Sequence, residues 1–558
     1  MQLEFSSNGP NGGRGLRFNG RWPFQDSSGG EYDLHPGRTA HAFGQLSLED
    51  ADADWKQVLE EEGLLQRLYG TNDVGSISYE GVGRWKEVTM NDSLSKWGNK
   101  GAPKTEIVAH SPGWTIFRNL YLLNGTWYIV TENPSEYPLL RLMTSTGAEI
   151  WNDEESIRNR EPTDKDMKFI FPSEAKRLFG SSASRVEGTT WMVNDPPQFL
   201  DHYYHFAAEL LFGLWRTYST LDTEIKSDGI SRLPSPRRLV FSHSDGEKWR
   251  DYSKMNTFLC KTVFPSMSYE FQSEFQDRAD AGRVFIYDRV LFADRAAALR
   301  GPQFAHTWRT AAEAMSLPGS PYWWSPVRRN LLEFVGVPDS TLHPSDLETP
   351  VITYVSRQDW GRRMLIKEDH EKLVKELNNL HDKYGYETLI KVDLPIGEHC
   401  VNGQVVARRT DKIVSANNRM SSSGLGSAEI AYKNPCLQKI MLGVHGNGLT
   451  HLLWMKPTPR ATVIEFFFPQ GFAHDYEFTS RALGVTHYGF WGSEYFTHPD
   501  TPKVAYPEGF QGNEIPIVEE VEETRLDEGK QDNRVVLDDE DDPVMDAIEE
   551  AELSNRKL

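Results

Sequence analysis

One histidine and two glycines stand between two apolar runs in MLGVHGNGLTHLLWMKP, residues 441–457. The first run predicts a strand and the second a helix, so His445 falls where the strand ends. Gly446 and Gly448 let the backbone approach a ligand closely. The free N–H groups of a first helical turn, together with the helix dipole, favour an anion such as a pyrophosphate. A simple tight turn explains the same residues about equally well.

Two other segments supply charged groups that suit a nucleotide. YVSRQDWGRRML contains Arg357, Arg362 and Arg363, and guanidinium groups bind phosphate oxygens in a bidentate manner. TVIEFFFP places Glu465 inside an apolar strand, where a carboxylate needs partners and can accept hydrogen bonds from two ribose hydroxyls. The plainer interpretations are a solvated basic loop and a strand-end acid that meets solvent or an arginine. Taken together, the three segments predict a nucleotide-diphosphate site.

The order of these motifs resembles the core of glycosyltransferase family 61, over about residues 110–495. That family includes protein O-GlcNAc transferases of the secretory pathway and plant xylan xylosyl- and arabinosyltransferases. Many members have Ala or Ser where Asn447 stands, and their usual Asn-Glu after the arginines is replaced here by Ile366-Lys367-Glu368. The resemblance places the donor site on Arg357, His445, Gly446, Gly448, Leu449 and Glu465, and the donor-binding set that we expect also includes Arg362, Asn447 and Thr450.

The resemblance also implies a fold and an activity. The expected fold is α/β of the GT-B type, with two Rossmann-like domains facing a cleft. The expected donor is a UDP-sugar, with xylose or N-acetylglucosamine as the sugar, bound mainly by the second domain. The sugar would move with inversion to a hydroxyl of a glycan or glycoprotein, without a metal ion or other cofactor.

An inverting displacement needs a base for the proton of the acceptor hydroxyl. In DHYYHFAAELLFGLWRTYSTL, His205 and Glu209 are four residues apart and share one helix face. We expect the apolar helix to raise the pKa of Glu209, which makes Glu209 the base and His205 a substrate-positioning partner. Two alternatives stay open: the two side chains only bond to one another, or His202, His205 and Glu209 bind zinc.

The pattern of elements predicts two α/β halves. TIFRNLYLLNGTWYIVTE predicts a hairpin, because an Asn-Gly turn separates two β-prone runs. Strand and helix patterns alternate on both sides of a charged, Pro-containing link at 337–350, which indicates mostly parallel sheets. The predicted parts are a disordered segment, an acceptor-side domain with a hairpin extension, a nucleotide-sugar domain and an acidic disordered tail, at 1–45, 46–340, 341–510 and 511–558.

Composition narrows the function further. The net charge is −21, and residues 519–558 alone hold 16 acidic and 5 basic residues, so the rest is only mildly acidic. This balance argues against a dedicated nucleic-acid binder. The acids Asp50 and Asp52 are better explained as a helix start than as a metal motif. The three cysteines form no metal pattern, and a bridge between Cys400 and Cys436 stays open.

No stretch approaches the roughly 20 apolar residues of a membrane span, and the N-terminal residues lack the apolar core of a signal peptide. Because the resembling family works in the Golgi or the endoplasmic reticulum lumen, we expect the same location, with a membrane anchor that this sequence does not contain. The sequons at Asn91 and Asn124 agree with that location. The alternatives are a UDP-sugar epimerase or hydrolase on the same fold, and a non-catalytic scaffold.

Overall fold

A computed structural model describes a mixed α/β protein, as the sequence predicts. All described residues belong to one compact unit, Val82–Leu558. They are residues 93–251, 255–334, 351–358, 361–384, 387–392, 440–458, 461–492, 494–512 and 514–517.

Several predictions from the sequence lie outside the described residues. These are the disordered segment 1–45, the link at 337–350, the acids Asp50 and Asp52, the cysteines Cys400 and Cys436, and the tail beyond residue 517.

The start of the predicted tail at 511 is wrong. Ile515 is buried, its N–H donates to Met364 O at 3.1 Å, and its carbonyl accepts from Ile366 N at 3.0 Å. The folded part of the chain therefore continues at least to Ile517. The physical reason is that this stretch contains apolar side chains, whose burial is favourable.

The first half contains a nine-stranded sheet. Its path is β5-β4-β3-β9-β6-β7-β8, with β2 beside β3 and β1 beside β6. The strands are β1 Leu94–Lys96, β2 Glu106–Ser111, β3 Trp114–Leu123, β4 Thr126–Val130, β5 Met167–Ile170, β6 Ser182–Val193, β7 Arg238–Phe241, β8 Ser268–Glu270 and β9 Phe285–Ala293.

The expectation of a mostly parallel sheet is wrong for this half. Strand β3 pairs antiparallel with β2, β4 and β9, whereas β6 runs parallel to both β7 and β9. The predicted hairpin is the reason for part of this mixture. Asn124 (φ 51°) and Gly125 (φ 81°) form the tight turn that joins β3 to β4, and such a turn makes its strands antiparallel.

The second half contains a six-stranded sheet in the order β11-β10-β12-β13-β14-β15. Its first five strands are parallel, and only the edge strand β15 is antiparallel. Read along the chain, the parallel strands have the doubly wound order 2-1-3-4-5. The strands are β10 Val351–Ser356, β11 Glu387–Val392, β12 Ile440–Val444, β13 Thr462–Phe466, β14 Thr486–Trp491 and β15 Glu494–Phe496.

Helices cover the sheets and join the two halves. The α-helices are α1 Leu140–Met143, α2 Glu154–Asn159, α3 Pro172–Phe179, α4 Phe212–Ser219, α5 Met255–Val263, α6 Gln272–Asp280, α7 Arg295–Ala298, α8 Pro302–Thr307, α9 Ala312–Met315, α10 Ser325–Phe334, α11 Lys367–Tyr384 and α12 Asp475–Ala482. A π-helix, His205–Leu211, leads into α4, and the 3-10 helices are Gly98–Lys100, Pro134–Glu136, Pro197–Phe199 and Asn447–Trp454.

One hydrophobic core continues from the first sheet to the second. It contains Trp191 from β6, Phe212 from α4, Trp324 before α10 and Trp454 beside β12. The indole N–H of Trp324 donates to Leu453 O at 2.8 Å across this junction. The two sheets therefore share buried apolar surface, which fixes the groups at their edges relative to one another.

Gly213 in α4 tests how tightly this core is packed. A Cβ there would lie 2.3 Å from the ring of Trp114, a buried side chain whose indole N–H donates to Thr310 O. We expect Gly213→Ala to lower the free energy of unfolding by about 1–3 kcal/mol, the usual cost of overpacking. Gly246→Ala is the control, since its Cβ meets Phe271 at an ordinary 3.5 Å. Urea unfolding of both variants measures the difference, and equal stability would contradict the packing argument.

Candidate functional site

The doubly wound sheet has its topological switch point between β10 and β12. The strand that follows β10 lies on one side of this pair, and the strand that follows β12 lies on the other side. In sheets of this kind, ligands bind in the crevice at the carboxyl ends of the two strands. Arg357 follows the end of β10 and His445 follows the end of β12. Both sequence-predicted residues therefore stand at the edge of the sheet where a ligand is expected.

Gly446 has a specific reason to be glycine. A Cβ at this position would lie 2.5 Å from Arg357 Nη1. Any other residue would push the guanidinium group away from the sheet edge. The first glycine of HGNG thus makes room for an arginine, rather than directly for a ligand.

The rest of the HGNG segment differs from the prediction. Asn447–Trp454 is a 3-10 helix, and no side chain caps its N-terminus. Leu449 is fully buried in the main core, and Thr450 Oγ1 donates to Asn447 Oδ1 at 3.2 Å. Leu449 and Thr450 therefore hold the segment in place, while Asn447 and Gly448 stay partly exposed.

Glu465 is not available to a ribose. The side chain is fully buried, its Oε1 lies 2.5 Å from His445 Nδ1, and its Oε2 lies 2.7 Å from His487 Nε2. Both carboxyl oxygens are thus occupied by ring nitrogens, and the predicted sugar-reading role is wrong. The sequence did not reveal His487, because it lies 22 residues away on the neighbouring strand β14.

Arginines surround the imidazole of His445. Burial lowers the pKa of His445 well below its usual value, and the charges of Arg363, Arg309 and Arg357 lower it further. The Arg363 guanidinium lies over the ring of Phe510, which in turn packs against His445. Its Nε donates to Gln511 Oε1 at 2.6 Å. A positive potential is therefore concentrated at the carboxyl edge of β12.

Of the two neighbouring arginines, the prediction chose the more exposed one. Arg362 is exposed, whereas Arg363 is partly buried with a left-handed backbone (φ 54°) that turns it toward Phe510. Burial lowers the pKa of His202 to about 3, with smaller contributions from His205, Arg363 and Arg362. Both arginines therefore act on the first half as well as on the second.

The first half contributes the His205–Glu209 pair. His205 Nδ1 lies 2.8 Å from Glu209 Oε2, within the π-helix. The helix predicted for DHYYHFAAELLFGLWRTYSTL is thus a π-helix where these two residues lie, and π-bulges are frequent at functional sites. The side chain of Glu209 is 6% exposed, while that of His205 is 12% exposed. Of the pair, the histidine is the more exposed member.

The expected rise of the Glu209 pKa is wrong. Burial raises it, but the hydrogen bond from His205 and the charges of His205, Arg309 and Arg295 outweigh burial and lower the pKa to about 2. Arg309 Nη1 and Arg295 Nη1 each lie 3.7 Å from a Glu209 oxygen. Glu209 is consequently a sheltered carboxylate that orients His205, since a carboxylate accepts only and fixes the proton on Nδ1.

Arg309 joins this pair to the second half. Besides Glu209, it forms an ion pair with Asp475, the first residue of α12. Tyr204, next to His205, donates from its hydroxyl to Asp475 O at 3.0 Å. Arg309 and Asp475 are buried or nearly so, and neither belongs to a recognisable motif. In the sequence, the one sign of their role is an arginine within an apolar helical pattern.

Asp195 and Arg295 fix the other side of the pair. They follow the parallel strands β6 and β9, and Arg295 Nε lies 2.5 Å from Asp195 Oδ2. Arg295 Nη1 also donates to His205 O at 3.1 Å. The carboxyl edges of both sheets thus converge on one cluster of histidines, arginines and carboxylates.

No protein-family model matches the chain, and no curated protein matches it. Within the described residues, His, Cys, Asp and Glu side chains form no group of three or more suited to a metal ion, so the zinc alternative gains no support there. None of the helices in the described ranges is long and apolar enough to cross a membrane.

Proposed function

We propose that this protein is an inverting glycosyltransferase of the GT-B type that moves a sugar from a UDP-sugar to a hydroxyl of a glycan or glycoprotein. One observation carries the proposal. A histidine oriented by a carboxylate, His205 with Glu209, lies close to a group of cationic and imidazole side chains, Arg357, Arg363 and His445, at the switch point of a doubly wound sheet. The resemblance to family 61 supplies the sugar nucleotide.

Each half of the protein has a role in this proposal. Arginines and His445 would hold the diphosphate by preorganised electrostatics, which stabilises charge on the departing group. His205 Nδ1 forms a hydrogen bond with Glu209, and Nε2 has no hydrogen-bond partner among the described residues. Nε2 is therefore the nitrogen that can accept the proton of the acceptor hydroxyl. This assignment replaces the predicted role of Glu209 as base.

The reaction is a single displacement. The acceptor oxygen forms a bond to the anomeric carbon as the bond from that carbon to the UDP oxygen breaks. The hydroxyl proton goes to His205 Nε2, and the electron pair leaves with UDP, whose charge the arginines stabilise. The positive charge that His205 gains is offset by the Glu209 carboxylate 2.8 Å away.

Nucleotide binding gives the first test. At a UDP concentration about 100 times its Kd, mass action stabilises the folded state by about 2.7 kcal/mol and raises the Tm. We expect UDP, UDP-xylose or UDP-GlcNAc to raise the Tm in the presence of EDTA, and uridine to have little effect, because the site binds phosphate. Arg363→Met should abolish most of the shift.

Arg177→Met is the matched control, since Arg177 is mostly exposed on α3. It should leave the shift unchanged. If no uridine nucleotide raised the Tm, the assignment of a UDP-sugar as donor would be wrong. Loss of donor that is equally fast with and without an acceptor would instead identify a hydrolase.

A further inference from the structure

The His445–Glu465–His487 trio lies beneath the arginine cluster, and its two hydrogen bonds restrict where its protons can be. Glu465 is fully buried on β13, between His445 after β12 and His487 on β14. Among the described residues, the groups within ion-pair distance of Glu465 are the two histidines, with no Lys or Arg. An ionised carboxylate here would have no cation in contact unless a histidine were protonated.

His487 fixes one proton of the trio. Its Nδ1 is buried and has no hydrogen-bond partner in the described part of the chain. A neutral imidazole has one N–H and one bare nitrogen, and a buried orphan N–H is rarer than an unsatisfied acceptor. Nδ1 is therefore the bare nitrogen, and Nε2–H donates to Glu465 Oε2.

The second proton lies between Glu465 Oε1 and His445 Nδ1, which are 2.5 Å apart. Burial raises the pKa of Glu465 well above its usual value, the charges of Asp475 and Glu477 add to this, and Arg363 and Arg309 oppose it. Burial also lowers the pKa of His445, as do Arg363, Arg309, Arg357 and His487. These directions agree with a trio that carries no net charge.

We propose that Glu465 is a neutral carboxylic acid that donates its proton to His445 Nδ1, so that His445 presents an Nε2–H donor to an anionic oxygen. Glu465 and His487 are then positioning residues for His445. The two hydrogen bonds then point the same way. His487 Nε2–H donates to Glu465 Oε2, and the Glu465 O–H donates to His445 Nδ1.

The protonation pattern has a consequence for the ligand. A bare Nε2 would repel a phosphate oxygen, because both atoms are acceptors. An Nε2–H donates to that oxygen without adding another full charge beside Arg357, Arg363 and Arg309. Only the identity of the ligand oxygen, a phosphate oxygen of the nucleotide, rests on the proposed function.

The proton positions can be observed directly. In the full chain labelled with ¹⁵N-histidine, two-bond ¹H–¹⁵N correlation distinguishes the tautomers, and His445→Gln assigns the signal. We expect His445 with Nε2 protonated and Nδ1 bare at neutral pH. A His445 protonated on Nδ1, alone or together with Nε2, would overturn the proposal. This readout needs no nucleotide, so it stands even if the donor assignment fails.

Substitution of Glu465 provides a functional readout. In Glu465→Gln the amide N–H replaces the carboxyl O–H, and the amide oxygen still accepts from His487. We expect UDP affinity within about threefold of the wild type. Glu465→Ala removes both contacts and should weaken UDP binding about 10–100-fold, by analogy with the loss that follows when the partner orienting a metal-binding histidine is removed. Equal losses in both variants, with the fold intact by circular dichroism, would contradict the neutral-acid assignment.

Discussion

Replacing His205 with Ala is expected to lower kcat about 10²–10⁴-fold, the usual contribution of a general base. The loss should fall on kcat, because the arginines proposed to hold the diphosphate, Arg357 and Arg363, follow β10 in the second half. The measurement is UDP release with the preferred UDP-sugar and a glycan or glycoprotein acceptor. UDP binding by thermal shift should persist in the same variant.

His306→Ala is the control for this experiment, because His306 is exposed on α8 and far from the pair in the chain. It should leave kcat unchanged. A His205→Ala enzyme with the full rate would show that His205 is not the base. The companion variant Glu209→Gln removes the charge that offsets the imidazolium, so kcat should fall while UDP binding persists. Loss of UDP binding in Glu209→Gln would instead indicate that Glu209 has a purely structural role.

The sequence predicted well those features that depend on neighbouring residues. The Asn124-Gly125 hairpin follows from local turn chemistry, and the alternation of β10, α11, β11 and β12 follows from periodicity. The contact between His205 and Glu209 likewise needs only helical spacing. Arg357 and His445 were found because a strand end followed by a polar residue is a local pattern.

Features that depend on distant strands were predicted poorly. Glu465 was expected to bind ribose, since nothing near it in the chain shows that His487 occupies its second oxygen. The pKa of Glu209 moves the other way because Arg295 and Arg309, about 90 and 100 residues later, overcome burial. The direction of a pKa shift in a buried site is thus set by long-range partners that periodicity does not reveal.

The first sheet shows the same limit. Strand β9 lies between β3 and β6, antiparallel to one and parallel to the other. Each strand is visible as an apolar run, yet the run itself does not specify its neighbours or their direction. Because β9 is parallel to β6, the carboxyl ends of the two strands meet at one edge, and Arg295 after β9 lies beside Asp195 after β6. This one parallel pair in a mixed sheet is therefore what places the arginine next to Glu209.

Arg309→Met should lower the free energy of unfolding by about 3–5 kcal/mol, the cost of removing one partner from a buried ion pair. Arg309 is the cation that Glu209 and Asp475 share, and methionine keeps its approximate length without the charge. Both carboxylates would then stay buried with fewer partners. Urea unfolding at neutral pH measures the loss. Arg158→Met is the control, because its pair with Glu154 is exposed and should contribute less than about 1 kcal/mol.

The pH dependence separates this explanation from a simple packing defect. The Glu209 pKa is lowered to about 2 in the folded protein, so the stability that Glu209 contributes is present above its unfolded pKa and disappears as the pH falls toward 2. The difference between wild type and Arg309→Met should therefore shrink as the pH falls below about 4, where Glu209 becomes protonated in the unfolded state. A packing defect would leave the difference in unfolding free energy the same at neutral pH and below about pH 4. A constant difference would mean that the arginine stabilises the junction of the two halves through its shape rather than through its charge.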